Sequence, residues 1–574
     1  MTPVSAGTVS ALVAAALDAH ASDVFGLMGN GNAWFLDAVV TSTSLTYTAV
    51  RHEAAAVAAA DAYYRASGRL AIATTTYGPG YTNALTPLTE AAQARIPLML
   101  VTGAGPRQAR SHDVDQRALA LSAGAAYFEV AQDDAGWVTD EAVAFALAER
   151  TAVVIAIPYD LADAPSTQPE GARPGSGSGS GFARAPLKPA DAAAIAAAAR
   201  VLGGAERPLV LAGRGAWLAG AQDAAAELAS KLGALTTTSA LGMGFFEGAG
   251  ADGDSALGIS GGFATETTAA LVEQADVVLV LGARLNPFTM RFGDAFAVGA
   301  HVIQVDVNEV ATNPRVNTYL RGDAAEVARA LADALPAAPA PGAPAPATAC
   351  GWDRSALATV AVRPDGDDLA PDGRLDPRSL MRRLDALLPE DRVIVQDGGH
   401  FIGWAPTYLR VPAPDRLIMV GTAFQTIGLG LPSAVGAGRA RPDSTIVLSS
   451  GDGGALMGLA DLETVVRSVR HGVVLIFNDA AYGAEVHQYG VRGIDERPML
   501  IPEVDFAGLA SALGAQAAVI RTLDDLAALE SWLASGAEGV FLADLRVSRE
   551  VVAPYMHEVV SAATAAAGHR SEDS

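Results

Sequence analysis

Short apolar runs rich in β-branched side chains recur along the chain, separated by Ala-rich stretches of helical period. Segments 70–74, 98–101 and 153–157 form one group; 209–212, 277–281 and 302–305 a second; 393–395, 445–448 and 473–477 a third. Each run is continuously apolar rather than alternating, the pattern of a strand covered on both faces, and the spacing between runs leaves room for helices. Two segments break the rhythm: 165–186, which alternates Gly and Ser over 175–181, and 336–348, an Ala/Pro run. Neither has side chains enough to repay the ordering of its backbone, so both read as linkers. The pattern predicts an α/β protein of three doubly wound parallel-sheet domains, over 1–164, 187–335 and 370–555, with a polar tail from about His569. Ligands of such sheets sit beyond the carboxyl ends of the strands.

Composition narrows the function. At 574 residues, half of them apolar, the chain can bury several cores. A formal charge of −24 repels nucleic acid and anionic membranes, so neither is expected as a partner. A phosphorylated ligand would need a cation or backbone amides. The single cysteine, Cys350, permits no internal disulfide. The first 23 residues lack the basic region of a signal peptide, and no apolar run reaches the length of a membrane span, which together predict a cytoplasmic protein.

Chemistry concentrates after two of the apolar runs. Gly451-Asp452-Gly453-Gly454 follows 445–448, and Asn478-Asp479 follows 473–477. A strand that ends in an acid among glycines sets a carboxylate at the open edge of a sheet, where bare backbone can approach a phosphate. Asp452 and Asp479, 27 positions apart at the tips of strands flanking one helix, can share a hard cation such as Mg2+ that bridges to a diphosphate.

This spacing resembles the thiamine diphosphate signature of the acetolactate synthase, pyruvate oxidase and benzaldehyde lyase superfamily. The resemblance implies Mg2+ on Asp452, Asp479 and the carbonyl of Ala481, with Asp479 standing where Asn is usual. Arg51-His52-Glu53, Tyr77-Gly78-Pro79-Gly80 and Thr82-Asn83 are similar to that superfamily's pyrimidine-binding domain. Carried over, Glu53 hydrogen-bonds the aminopyrimidine N1′ and favours its imino tautomer, with Gly78 and Asn83 beside it. Asp397-Gly398-Gly399-His400 resembles the first diphosphate loop, so Gly399, His400, Gly451, Gly453 and Gly454 are implied diphosphate contacts. The stretch 421–432 resembles the segment that bends the cofactor, in which the carbonyl of Gln425 accepts from the 4′-amino group and Ile427 wedges between the rings. The middle domain resembles one that in some members binds FAD, a cofactor possible here but not expected.

The same resemblance implies an active site shared between subunits of a homodimer or homotetramer, Glu53 of one facing Asp452 of another. Gln116 stands near an active-site Gln of the superfamily, and Glu485, six residues past Asp479, near a decarboxylase Glu. There a carboxyl whose pKa is raised by burial would protonate the product carbon. The reading is a lyase or transferase making or breaking a C–C bond next to a carbonyl, a 2-oxo acid decarboxylase and carboligase. The alternatives are a lyase of 2-hydroxyacyl-CoA or hydroxyketone substrates and a flavin-dependent oxidase of the pyruvate oxidase type.

Overall fold

The computed structural model describes residues 7–106, 108, 110–169, 190–247, 255–335, 351–359 and 363–561. Both linker expectations fall wholly or mostly outside these residues, as do Cys350 and the tail from His569.

Three six-stranded sheets, all parallel, carry the chain. The first holds β1 (Asp23–Gly26), β2 (Thr46–Ala49), β3 (Ile72–Thr75), β4 (Leu98–Ala104), β5 (Ala126–Glu129) and β6 (Ala152–Pro158), in the order β2-β1-β3-β4-β6-β5. The middle sheet holds β7 (Pro208–Ala212), β8 (Leu235–Thr238), β9 (Ala256–Ile259), β10 (Val277–Leu281), β11 (His301–Asp306) and β12 (Thr318–Arg321), in the order β12-β11-β10-β7-β8-β9. The last holds β13 (Arg392–Gln396), β14 (Leu417–Ile418), β15 (Thr445–Gly451), β16 (His471–Phe477), β17 (Gln516–Ile520) and β18 (Gly539–Leu545), in the order β14-β13-β15-β16-β18-β17. All nine apolar runs of the sequence are strands, and helices follow most of them. Their burial explains the lack of alternation: β3, β4, β7, β10, β13 and β16 are buried at nearly every position. The doubly wound α/β fold class is therefore the observed one.

The first and last sheets have the same topology, strand for strand. In both, the order reverses between the first and third strands, which opens a crevice at their carboxyl ends. The loops after β1 and β3 line it in the first sheet, and the loops after β13 and β15 in the last.

These two units dock through helices Glu53–Ser67 and Gly430–Ala440, the first rich in Ala and the second in Ala and Gly. A Cβ added at Gly436 would lie 2.0 Å from the carbonyl oxygen of Ala59, so the backbones touch directly. Polar contacts border the apolar seam: Arg439 with Asp23 at 2.8 Å, Arg441 Nε to the Ala66 carbonyl at 2.9 Å, and the Arg51 amide to Asp461 at 2.9 Å.

Candidate active site

The crevice of the last sheet is organised by Asp397, which directly follows β13 and is buried. Its carboxylate accepts from the amides of Gly398 at 2.8 Å and Gly428 at 2.9 Å and from the Ser450 hydroxyl at 3.1 Å. Burial pushes its pKa up against these donors. One acid thus ties together the loop after β13, the stretch 421–428 and the end of β15. Gly399 follows with φ +134°, a backbone open to glycine but not to side chains. At Gly454 a Cβ would fall 2.7 Å from Asp397 Oδ2, and at Gly453 one would fall 2.5 Å from the Tyr482 ring. Side chains cannot enter the cradle, so backbone lines it.

Asp452 is buried beside this cradle. Its Oδ1 accepts from the Gly453 amide at 2.8 Å, while Oδ2 has no hydrogen-bond partner. Burial raises its pKa to about 6 although the amides of Gly453, Ala480 and Ala481 oppose the rise. Asp479 is pushed up to about 7, first by burial and then by the charge of Asp452. Two acids with raised pKa values and an unpartnered oxygen are an arrangement that a bound cation would stabilise.

The backbone nearby turns a further polar group toward these acids. Ala480 lies at φ +59°, and the Ile501 amide donates to its carbonyl at 2.9 Å, while the Tyr482 amide donates to Met499 at 2.8 Å. These bonds leave Ala481 at the non-hydrogen-bonded position of its bridge with Leu500, so its own N–H and C=O point to the other side. There the N–H reaches Asp479 Oδ1 at 3.1 Å. No group of three His, Cys, Asp or Glu side chains able to hold a metal occurs among the described residues. A cation at Asp452 and Asp479 must therefore be completed by backbone oxygen and by its ligand. The residues fit a magnesium diphosphate.

His400 is buried, not a solvated loop residue. Its Nε2 accepts from the Ala553 amide at 2.8 Å, which leaves the ring proton on Nδ1. Burial pushes its pKa down to about 3, keeping it neutral. Its ring lies 4.5 Å from that of His487, whose buried Nε2 has no partner. Gln425 takes a left-handed φ of +58°, which aims its backbone away from the helical path, and Ile427 packs over Gly398.

The first sheet gathers the other predicted residues. Glu53 opens its helix, its Oε2 accepts from Asn83 Nδ2 at 3.0 Å, and Gly80 leaves space beside its Oε1. Gly78 has φ +65°, and a Cβ there would strike the His112 carbonyl at 2.6 Å. Glu53, Gly78 and Asn83 are therefore neighbours in one crevice. No hydrogen bond or ion pair among the described residues joins Glu53 to Asp452 within the chain.

Two predicted residues stand differently from expectation. Gln116 is buried with its Nε2 donating to the Gly103 carbonyl at 3.1 Å, and Tyr81 holds its own carbonyl at 3.2 Å, so part of its amide is committed to the fold. Glu485 is exposed on the helix Gly483–Tyr489. The burial on which its acid role was argued is not supplied by this chain alone, because the helix turns its outer face to solvent. Neither the organising role of Asp397 nor Glu90, a buried acid of the first unit that reaches the 421–428 stretch, was legible as such in the sequence. An acid within the apolar helix Leu85–Gln93 was the available signal.

Family models match the chain in three places: the N-terminal binding domain of thiamine pyrophosphate enzymes over 7–123, their central domain over 195–331 and their C-terminal binding domain over 397–542. An acetolactate synthase large subunit of Parasynechococcus marenigrum is 30% identical over 87% of this chain and 81% of that protein. A sulfoacetaldehyde acetyltransferase of Rhodobacter capsulatus is 28% identical over 96% of both. Among solved structures, a Rhodococcus jostii thiamine diphosphate-dependent 4-hydroxybenzoylformate decarboxylase superposes with a TM-score of 0.73 at 21% identity, covering 94% of this chain and 99% of its own, a likeness of fold. No helix among the described residues is long and apolar enough to cross a membrane. The chain belongs to the thiamine pyrophosphate enzyme family.

Proposed function

We propose that this thiamine pyrophosphate enzyme decarboxylates a small 2-oxo acid and passes the acyl carbon to an aldehyde or ketone, as an acetolactate synthase-like decarboxylase and carboligase. The observation that carries the reading is the unpartnered Asp452 Oδ2, set beside Asp479 and a glycine-lined cradle at the switch point of the last sheet. In this reading Mg2+ is held by Asp452, Asp479 and the Ala481 carbonyl. The backbone of Gly399, Gly451, Gly453 and Gly454 receives the diphosphate, and His400, neutral with its proton on Nδ1, offers a donor without adding charge. The Gln425 carbonyl and the Ile427 side chain position the rings.

Glu53, Gly78 and Asn83 come from a second copy of the chain, making a homodimer or homotetramer with shared sites. When bound, thiamine diphosphate supplies an electron sink for the carbon next to the substrate carbonyl. Glu53 holds the proton at the aminopyrimidine N1′. Gln116 borders the substrate, and Glu485, covered on assembly, delivers a proton to the product carbon. No observation favours the flavin-dependent alternative.

Incubation with thiamine diphosphate, Mg2+ and a panel of 2-oxo acids, with CO2 and products followed by mass spectrometry, tests the reading. CO2 release with coupled products is the expected result. Cleavage of a hydroxyketone or hydroxyacyl-CoA, with no CO2 from any 2-oxo acid, would replace it with the lyase alternative.

A further inference from the structure

The stretch 419–428 is anchored from outside its own unit. Arg65, buried in the helix Glu53–Ser67, pairs with Asp61 and, at 3.1 Å, with Glu90 Oε1, and its Nη1 donates to the Met419 carbonyl at 3.2 Å. Glu90 is 0% exposed, and its second oxygen, Oε2, accepts from the Phe424 amide at 2.7 Å. From the middle unit, Arg214 donates to the Arg65 carbonyl at 3.1 Å, and burial pushes its pKa down to about 10. Residues of the first unit therefore hold the stretch at Met419 and Phe424, and Asp397 holds it at Gly428.

The anchor at Phe424 sits one residue before the strained backbone of Gln425. Left-handed φ is disfavoured for a residue with a side chain and persists only where the surroundings fix it. The Phe424 side chain is 44% exposed and supplies little packing to do so. The bond to Glu90 fixes the Ala423–Phe424 peptide, one unit before the Gln425 φ, while the Thr426 amide, in the same peptide as the Gln425 carbonyl, bonds the Gly421 carbonyl at 2.9 Å.

We propose that Glu90 is a positioning residue: clamped by Arg65 through one oxygen, it uses the other to set the Phe424 peptide and so the direction of the Gln425 carbonyl and the height of Ile427. The inference rests on the cofactor-binding reading of that stretch. It makes the first unit of each chain a support for the cofactor loop of the same chain, distinct from the crevice that chain lends to its partner.

Side-chain length separates this role from simple charge balance. Glu90→Asp keeps the charge but withdraws the carboxylate by about 1.5 Å, one carbon–carbon bond, so it cannot hold Arg65 and Phe424 together. Glu90→Gln removes the charge but keeps the reach: its one amide oxygen can still accept from Phe424, and its amide nitrogen gives up only the bond from Arg65, which Asp61 and the Met419 carbonyl still hold. Hydrogen exchange of the segment 421–428 is followed by mass spectrometry in the cofactor-free protein. Slow exchange in the parent, exchange about tenfold faster in Glu90→Asp, the scale for one buried hydrogen bond, and near-parent exchange in Glu90→Gln are expected. Thiamine diphosphate affinity in the presence of Mg2+ should follow the same order.

Fast exchange of this segment in the parent would overturn the proposal even if neither variant folds. Equal exchange in the parent and Glu90→Asp, or equally fast exchange in both variants, would also overturn it, as would unchanged cofactor affinity in a Glu90→Asp protein with faster exchange. A parent that binds no thiamine diphosphate would instead sink the cofactor reading while leaving the exchange result intact.

Discussion

Replacing Asp479 with Asn should stabilise the cation-free protein at alkaline pH. Burial and the neighbouring Asp452 raise the Asp479 pKa to about 7 in the folded chain, against about 3.9 when unfolded. A carboxyl raised on folding favours the native state while it stays protonated there. Its penalty is absent below about pH 4, grows as pH rises, and is complete above about pH 7. Roughly three units at 1.36 kcal/mol each set an upper bound of about 4 kcal/mol. Water at this partly buried carboxyl screens the charge, and we take about half, roughly 2 kcal/mol. For a unit the size of the last sheet and its helices that is a Tm shift of about 4–8 °C. Asn keeps an oxygen for the Ala481 amide and carries no charge. Thermal melts in a chelator at pH 5 and pH 8 should therefore show the variant above the parent at pH 8, with a smaller gap at pH 5. Mg2+ with thiamine diphosphate should raise the parent most at pH 8, where no proton has to leave first. A variant that melts at or below the parent at pH 8, or a gap independent of pH, would refute the view that two acids face each other awaiting a cation.

Three further outcomes follow from the site. Glu53→Gln should leave the melting temperature and cofactor affinity near those of the parent but lower turnover by about 10²-fold or more, the scale for one lost proton-transfer group; steady-state rates at saturating cofactor check it. Asp452→Ala should abolish Mg2+-dependent binding of thiamine diphosphate, read as the loss of a fluorescence response from Trp404, which is buried at the start of the helix Trp404–Tyr408 beside His400. Glu485→Gln should slow product formation from the true substrate by about 10²-fold with cofactor affinity unchanged. An unaltered pH-rate profile in that last variant would remove Glu485 from the chemistry.

The central strands were legible because burial on both faces writes itself as an unbroken apolar run. The strands that went unread are mostly those for which this signal fails. β2 and β5 are edge strands with half-exposed positions, β8 is Leu-Thr-Thr-Thr, and β14 has two residues. β18 is different: Gly-Val-Phe-Leu-Ala-Asp-Leu is buried almost throughout, and its Asp544 breaks the run while pairing with Arg546 and Asn478 inside the fold. Local motifs announced Asp452, Asp479 and Glu53, since each sits in a short glycine- or strand-bounded phrase. Asp397 also sat in such a phrase, Asp397-Gly398-Gly399, but its organising role did not show there, and Glu90 had no phrase at all, because both roles lie in contacts to residues 31 and 334 positions away. The exposure of Glu485 was illegible for the same reason, being set by which neighbours cover one face of a helix.

The repeated topology of the first and last sheets gives these residues a common logic. Each sheet opens the same crevice between its first and third strands, and the contents of the two crevices differ in charge and in backbone. In the last sheet two acids stand together, one with an unpartnered oxygen; in the proposed reading a cation there would let a protein of net charge −24 receive a diphosphate that its overall field repels. In the first sheet a single acid, Glu53, is held by an amide side chain and keeps both oxygens near the crevice. The docked helices then fix each crevice relative to the other unit of its own chain through a seam of backbone contacts with no room for a Cβ at Gly436. Among the described residues, that seam leaves no hydrogen bond or ion pair between Glu53 and Asp452 inside one chain, so the proposed shared site depends on a second copy, and a seam with backbone in direct contact would hold each crevice in a fixed register for that copy.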